Sequence, residues 1–448
     1  MQYLSQIIFL IVLIIAVVLF AKAAGKISRN IKLGKPFDRS DRSGERWKAM
    51  FMVAIGQSKM VKRLFAGVLH VFVYAGFVII NIEVLEILID GIAGTHRIFS
   101  QVGQLYTFLI NAFEYLAVAV AVSCAIFLIR RNIGKLKRFW SMEMTTWPRT
   151  DANIILITEI LLMTAFLTLD ATGTLIERHN YSINTNGMLD GVSAQLAAGF
   201  SVSNSMLWLF NGMSISSLEF IEHFCWWFHI IGILAFLNYI PYSKHFHILL
   251  AFPNVYYSNL NPKGEFTNLA SVTREVKLML DPSSVPPDAA AAPPERFGAK
   301  DIFDLSGIQL MNAYSCTECG RCTSSCPANQ TGKMLSPRKI MMDTRDRMEE
   351  IGKNMDKNGG KFVDDGKSLL FNYITAEEVW ACTSCNACVE ECPVNIDPLS
   401  IIVDLRRFLV MEQSAAPSEL ALMMNNVENN GAPWQFPASD RLNWTSGV

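Results

Sequence analysis

The chain has 448 residues, of which 51% are hydrophobic and 18% charged, and its formal net charge is −1. This length allows two or three domains, and the composition is too apolar for an ordinary soluble protein, so a membrane part is expected. The near-zero charge, with basic residues grouped in loops beside apolar stretches, gives no reason to expect a nucleic-acid partner.

Five apolar stretches are long enough to cross about 30 Å of hydrocarbon as helices of about 20 residues. They lie at approximately 4–24, 64–90, 105–129, 153–175 and 222–248. Lipid offers no partners for backbone N–H and C=O groups, which favours closed helices. The first stretch lacks a basic start and a clear small-residue cleavage site, so we interpret it as a retained anchor rather than a signal peptide.

Basic residues are concentrated in the first and third loops of this bundle. Lys and Arg recur over residues 22–48 and again over 130–138, whereas the second loop has only Arg97 and the fourth only Arg178. The excess of positive charge on cytoplasmic loops places the N-terminus outside and everything after residue 252 in the cytoplasm. The sequence thus predicts an all-α, multi-pass bundle of five helices in the inner (cytoplasmic) membrane.

Histidines within the predicted helices are candidate haem ligands, because ionisable side chains inside a membrane are costly and suggest function. His70 lies in the inner half of the second helix and His247 at the inner end of the fifth, so the two could supply both axial imidazoles of a b-type haem. His229 lies about five turns before His247 on one face of a continuous helix, and is a candidate ligand of a second haem. His245 is a rival on nearly the opposite face, and Pro241 weakens this register. The alternative role is hydrogen bonding between helices.

Acidic residues map toward the outer side of the bundle. A quinol must lose protons when it gives up electrons, and acids beside a membrane site could accept them. We therefore expect a quinone site in the outer half near His229, with Glu83, Glu114 and Asp170 as candidates for proton exchange. Capping of helices at the outer interface is the alternative role of these acids.

Composition divides the chain into segments. A transmembrane cytochrome b-like domain is predicted over 1–252 and a connecting segment over 253–298, which includes the Pro/Ala-rich spacer DPSSVPPDAAAAPPERFG. A mainly α-helical ferredoxin-like domain is predicted over 299–410. The tail over 411–448 is a candidate contact for a partner.

Eight of the ten cysteines form two copies of the run Cys-x2-Cys-x2-Cys-x3-Cys-Pro. In bacterial ferredoxins, three closely spaced thiolates of such a run hold one 4Fe-4S cluster and the fourth reaches the other cluster. This pattern predicts one cluster on Cys316, Cys319, Cys322 and Cys392, and a second on Cys382, Cys385, Cys388 and Cys326. Such runs indicate metal ligation in a reducing compartment rather than disulfides, and two complete copies ending in Cys-Pro disfavour zinc.

The membrane half resembles the cytochrome b (gamma) subunit of respiratory nitrate reductase and especially the related membrane subunit of heterodisulfide reductase. The resemblance lies in GVLH at residues 67–70, WFH at 227–229 and PYSKHFH at 241–247. The cysteine half resembles the 4Fe-4S dicluster subunits of heterodisulfide reductase and of anaerobic glycerol-3-phosphate dehydrogenase. In the nitrate reductase subunit four histidines hold two haems. One of those positions is Ile80 here, so the resemblance supports the inner His70/His247 haem and leaves the outer one in doubt.

The sequence therefore predicts an oxidoreductase subunit that carries electrons between the membrane quinone pool, through haem b, and a cytoplasmic redox partner, through two 4Fe-4S clusters. The candidate partners are a CCG-type iron-sulfur protein, a flavoprotein and an electron-transfer flavoprotein. No Cys-Cys-Gly occurs in the sequence, so a CCG domain would belong to another subunit. The alternative is a haem-free membrane anchor that carries a dicluster ferredoxin module for a dehydrogenase or reductase.

Overall fold

The structure, a computed structural model, describes residues 3–183, 199–281, 283 and 296–447. These residues form helices joined by turns, and within them only isolated β-bridges occur. The predicted all-α class is confirmed. Most of the predicted spacer, residues 282 and 284–295, lies outside the described residues, and the predicted domain boundaries stay a prediction.

Within the described residues, five helices are long and apolar enough to cross a membrane. With the short helices between them, the first part of the chain contains α1 (Leu4–Ile31), α2 (Ser43–Met50), α3 (Leu64–Ala93), α4 (Gln104–Asn132), α5 (Trp147–Ile183), α6 (Ser201–Met206) and α7 (Ile215–Tyr239). The membrane candidates are α1, α3, α4, α5 and α7, at the places where hydrophobic length predicted them. The N-out, C-in orientation stays a prediction.

The fifth membrane helix ends earlier than the sequence predicts. Pro241 has no N–H to continue the α-helical hydrogen bonds, and the chain passes through 3₁₀ turns at Ile240–Tyr242 and Lys244–Phe246. A new helix, α8 (His247–Tyr256), begins at His247. The expectation of one continuous helix carrying His229 and His247 on the same face is therefore wrong, and the bend sets the position of His247.

The membrane helices pack as a bundle around apolar side chains. α5 lies against α4 and α7, and α3 lies against α4. Ile110, Phe113 and Phe166 are almost completely buried between them. α1 is the most peripheral helix, and it contacts the bundle through Phe9, which packs against Trp226 and Trp227. The exposed apolar side chains of α1 suit a lipid-facing position.

The cysteine-rich half is helical, as predicted. It contains α9 (Ala270–Leu280), α10 (Gly307–Ser315), α11 (Arg321–Ser324), α12 (Pro327–Gln330), α13 (Pro337–Lys357), α14 (Leu369–Asn372), α15 (Ala376–Trp380), α16 (Ala387–Glu391), α17 (Pro398–Met411) and α18 (Ser418–Asn430). α13 packs against α10 and α17, and the cysteine runs lie in the loops and short helices beside this core.

The two halves share one packed interior. Ile27 of α1 and Phe236 of α7 belong to the same buried cluster as Leu310 and Met341 of the cysteine-rich half. A polar contact also crosses this interface, because Asn30 donates to the Tyr314 hydroxyl across 2.9 Å. The cysteine loops are thereby held against one end of the membrane bundle.

Candidate functional site

Five cysteines from the two runs line one cavity. Four of them, Cys316, Cys319, Cys322 and Cys392, are the set that the sequence predicts for the first cluster, and the fifth, Cys388, is predicted for the second. Cys316 is buried, and its thiol pKa is raised to about 12 by burial. Because iron binds thiolates, loading of this site must release protons. Four soft sulfur donors from two loops fit an iron-sulfur cluster.

The other four cysteines also come together. Cys382 interacts electrostatically with Cys326 and Cys385, and Cys388 interacts with Cys382 and Cys326. Cys326, the last cysteine of the first run, thus lies among the cysteines of the second run. Among the described residues, no group of three or more His, Cys, Asp or Glu is spaced to hold a single metal ion.

The two cysteine loops share a backbone conformation that the cysteine spacing does not predict. Glu318 and Ser384 adopt positive φ angles of 55° and 56°, and their N–H groups donate to the sulfur atoms of Cys316 and Cys382, each across 3.4 Å. Ile396 N–H donates likewise to the sulfur of Cys392 across 3.3 Å. Such N–H···S hydrogen bonds are one of the means by which proteins set cluster potentials.

Three histidines form a group at the end of the bundle that faces the cysteine-rich half. His70 interacts electrostatically with His247, and His245 interacts with both. The ring centroids of His245 and His247 lie 5.5 Å apart. Helical periodicity predicts His245 on nearly the opposite face, which is wrong because the bend at Pro241 brings it into the group.

The histidine group fits a haem iron. His247 Nδ1 lies 3.1 Å from the Lys244 carbonyl oxygen, a contact that orients the ring and leaves Nε2 available as a ligand. Nδ1 of His70 and Nε2 of His245 are buried, and neither has a hydrogen-bond partner among the described residues. Buried polar atoms normally have partners, so these two nitrogens suit a site that binds a further group. The structure offers three imidazoles for two axial positions.

His229 lies in a separate cavity of about 70 Å³ deeper in the bundle. Its Nδ1 is 3.1 Å from the Leu162 carbonyl oxygen, which also leaves Nε2 available. The described lining contains Ile80 and Glu159 but no second histidine. Glu159 is not among the residues predicted from the sequence, although a carboxylate within an apolar stretch is itself a signal of function.

Aromatic side chains connect this cavity to the histidine group. Phe77 and Phe236 both line the cavity. Their rings also lie 6.4 Å and 5.3 Å, centroid to centroid, from the ring of His245. A group bound beside His229 would therefore be separated from the histidine group by about one ring.

The three predicted proton-exchange acids have different surroundings. Glu114 accepts hydrogen bonds from the N–H groups of Val202 and Ser203, across 2.7 Å and 3.1 Å, and so caps α6. Asp170 forms an ion pair of 2.5 Å with Arg97. Glu83 is buried near both, and neither its Oε2 nor Oδ2 of Asp170 has a hydrogen-bond partner in the described part of the chain.

Arginines attach the first cysteine loop to the membrane half. The Arg321 guanidinium donates to the carbonyl oxygens of Lys59 and Met60, each across 3.1 Å. It also interacts electrostatically with His70 on one side and with Cys319 and Cys392 on the other. The first cysteine quartet thus lies against the membrane half, to which the second run is also attached through the ion pairs of Glu390 with Lys62 and of Glu391 with Arg63.

Comparison with known proteins supports the same picture of the cysteine-rich half. Residues 311–396 match the family model described as "4Fe-4S dicluster domain". The chain therefore carries a dicluster domain of the kind that its two cysteine runs predict. No solved structure matches the chain.

Several curated relatives are iron-sulfur proteins. The chain is 29% identical to the "Probable iron-sulfur-binding oxidoreductase FadF" of Bacillus subtilis, over 98% of this chain and 60% of that protein. It is 26% identical to the "EtfAB:quinone oxidoreductase" of Syntrophomonas wolfei, over 91% of this chain and 54% of that protein. A subunit of the CoB-CoM heterodisulfide reductase of Methanosarcina acetivorans is 30% identical over 27% of this chain and 60% of its own length.

These relatives confirm the predicted resemblance to iron-sulfur oxidoreductases and to heterodisulfide reductase subunits. The chain spans between half and two thirds of the length of the first two relatives. Together with the five apolar helices, the comparisons describe a membrane protein with an iron-sulfur dicluster domain.

Proposed function

We propose that this chain is an oxidoreductase subunit that passes electrons between the membrane quinone pool, through haem b, and a cytoplasmic redox partner, through two 4Fe-4S clusters. The observation that carries the proposal is the position of Arg321, whose guanidinium interacts with His70 and with the cysteines of the first quartet. The candidate haem ligands and the candidate cluster ligands are therefore neighbours, as a chain of redox centres requires.

The grouping of cysteines and histidines supports a specific ligand assignment. Cys316, Cys319, Cys322 and Cys392 would hold the cluster nearer the membrane, and Cys382, Cys385, Cys388 and Cys326 the other. His70 and His247 would hold the haem, with the Lys244 carbonyl orienting the His247 ring. Haem b, when bound, supplies a one-electron centre between the quinone and the clusters.

The cavity beside His229 is the candidate place for the quinone head group. Glu159 and His229 offer polar contacts in an otherwise largely apolar lining, and Phe77 and Phe236 separate the cavity from the haem ligands. One curated relative is named a quinone oxidoreductase, which agrees with a quinone as substrate. Because the described lining holds one histidine, this cavity favours a quinone over a second haem.

The three acids that the sequence proposed for proton exchange are not equally suited to it. Glu114 caps a helix and Asp170 is paired with Arg97. In the described part of the chain, a buried oxygen without a hydrogen-bond partner occurs in both Asp170 and Glu83, but only Glu83 neither caps a helix nor forms an ion pair. Glu83 is therefore the best of the three for accepting a proton.

The partner would bind at the exposed side of the second quartet, where Cys385 is accessible. The name of the Syntrophomonas relative includes an electron-transfer flavoprotein, EtfAB, so such a flavoprotein is one candidate. A CCG-type iron-sulfur protein is the other, since heterodisulfide reductase subunits are among the relatives. The tail after residue 411 contains exposed apolar side chains, including Trp434 and Trp444, that would suit a partner contact.

A haem assay tests the proposal. The reduced-minus-oxidised spectrum and pyridine haemochromogen of the detergent-purified protein should show one b-type haem, and His70→Ala and His247→Ala should each abolish it. His223→Ala is the matched control, because its side chain is 73% exposed at the other end of the bundle. His245→Ala decides between the two rival imidazoles. Eight cluster irons without haem in the wild-type protein would leave the haem-free anchor as the function.

A further inference from the structure

The two cysteine loops are structural repeats with different charges at corresponding positions. Both contain the spacing Cys-Thr-x-Cys-x-x-Cys. Glu318 corresponds to Ser384, and Arg321 corresponds to Ala387. The backbone angles and N–H···S hydrogen bonds are nearly the same in both loops. Differences between the clusters must therefore come mainly from the surrounding side chains.

Basic side chains surround the quartet that faces the membrane. We call this group the cationic collar, and it consists of Lys59, Arg138, Arg321, Arg338 and Arg345. Arg321 and Arg338 line the cysteine cavity itself. Arg138 interacts electrostatically with Cys319, Lys59 with Cys392, and Arg345 with Cys316.

Part of the collar is neutralised by carboxylates. Arg345 forms an ion pair of 2.7 Å with Glu318, which is also bound by Lys244. Arg338 forms an ion pair of 2.7 Å with Glu143. These acids reduce the positive potential that the two arginines create at the cysteines.

The other members of the collar form no ion pair with a carboxylate in the described part of the chain. Glu390 acts on Lys59 and Glu391 on Arg321, but these two carboxylates are ion-paired with other cations, namely Lys62, Lys263 and Arg63. Lys59 donates to the Val389 carbonyl and to the Asn395 side chain, and Arg321 donates to two backbone carbonyls. Arg138 is also charged, because the guanidinium of arginine is not deprotonated in proteins. Beside one quartet there are thus three positive charges that have no ion-paired carboxylate of their own among the described residues.

The second quartet has a more balanced environment. Arg406 donates to the Val379 and Cys382 carbonyl oxygens and is the cation that acts on Cys382. The carboxyl of Asp397 acts on Cys388 with the opposite sign. Cys385 is exposed, so water screens charges there more than at the first quartet.

Charge near an iron-sulfur cluster changes its reduction potential, because reduction adds one negative charge. Burial alone disfavours the reduced state, as it disfavours any added charge. Positive side chains in the same poorly screened space act in the opposite direction, and more strongly than they would at an exposed site. In the described part of the chain, the first quartet has three cations without an ion-paired carboxylate, whereas the second quartet has one such cation, Arg406.

We propose that the cationic collar gives the membrane-facing cluster the higher reduction potential, so that it takes the first electron added to the two-cluster module. An electron then moves downhill from the second cluster, which is oxidised from the 1+ to the 2+ state, to the first, which is reduced from 2+ to 1+. This order favours electron flow from the partner side toward the membrane. The inference rests on the proposed function, because it requires that both quartets hold clusters.

A redox titration of the detergent-purified full-length protein, followed by electron paramagnetic resonance, tests the order. Arg138→Gln should lower the higher of the two midpoint potentials and leave the lower one in place. The expected shift is at least a tenfold change in the reduced-to-oxidised ratio, or about 59 mV for one electron. Arg406→Gln is the matched variant at the other cluster and should lower the lower midpoint. Arg138→Lys should restore the wild-type values.

The possible results distinguish failure of the inference from failure of the proposed function. If Arg138→Gln moves the lower midpoint and Arg406→Gln the higher, or if Arg138→Gln moves neither, the inference is wrong. Should Arg138→Gln fail to load clusters, Lys59→Gln provides the same comparison at Cys392. Wild-type protein with iron for fewer than two clusters would overturn the proposed function, and the inference with it.

Discussion

Lys244 forms a buried ion pair with Glu318, and this pair joins the turn before His247 to the loop after Cys316. The Lys244 carbonyl orients the His247 ring, and the Glu318 N–H donates to the Cys316 sulfur. One contact between two side chains therefore fixes the relative positions of a candidate haem ligand and a candidate cluster ligand.

Removal of the Lys244 charge should destabilise the interface between the two halves. Lys244→Met leaves Glu318 buried with Arg345 as its remaining close cation, so we expect a loss of about 2 kcal/mol in the free energy of unfolding. A denaturant series followed by circular dichroism measures it. Glu318→Gln and the double variant complete the cycle, and additive effects of the two changes would contradict a direct interaction.

Gly320 should be required because a side chain at this position would collide with Arg338, and not because the backbone conformation needs glycine. It adopts a φ of 69°, but Asn386 adopts 59° at the corresponding position of the second loop, so the conformation does not demand glycine. A Cβ at Gly320 would lie 2.5 Å from the Arg338 guanidinium. We predict that Gly320→Asn loses about half of the bound iron, because only the second cluster would load. The matched Asn386→Gly variant should keep its iron, and equal losses in both would show that the conformation is decisive.

The helices and the cysteine runs could be predicted because each depends on residues that are close together in the sequence. Lipid requires long apolar helices, and three thiolates on one loop require close spacing, so both leave regular patterns. Lys244 and Glu318, in contrast, are distant in sequence and have no pattern in common. Their pairing depends on how the two halves pack.

The position of His245 shows a second limit of prediction from sequence. Helical periodicity places residues on faces only while the helix continues, and α7 ends at Tyr239. The 3₁₀ turns after Pro241 then bring His245 beside His247, a result that no single helical period predicts.

Glu159 was not predicted as a site residue for another reason. The predicted acids were those that map toward the outer side of the bundle, whereas Glu159 lies near the beginning of the fourth apolar stretch, on the predicted inner side, and lines the same cavity as His229.

The stability of the cysteine-rich half should depend on the protonation of Asp343. Burial raises the pKa of this carboxyl to about 7, because Lys339 is shared between Asp343 and Glu378 and only partly offsets the burial. The folded state then holds a proton that the unfolded state releases above about pH 4. Stability should therefore fall by up to about 1.4 kcal/mol per pH unit as the pH rises from 5 to 7. Asp343→Asn should flatten this slope in thermal unfolding followed by circular dichroism, and an unchanged slope would assign it to other groups.

Substitution of Glu159 should lower turnover, because Glu159 lines a cavity. Substitution of Glu114 should lower stability, because Glu114 caps a helix. Glu159→Gln should slow quinone-coupled turnover by about tenfold or more, the size of effect typical of a positioned proton-transfer group, while iron content stays at the wild-type level. Glu114→Gln should instead lower the free energy of unfolding by about 1 kcal/mol, since it weakens the hydrogen bonds to the start of α6. Turnover with a soluble quinone analogue and denaturant unfolding, measured on both variants, separate the two roles. Normal turnover in Glu159→Gln would remove the cavity beside His229 as the quinone site and leave Glu83 as the acid to test next.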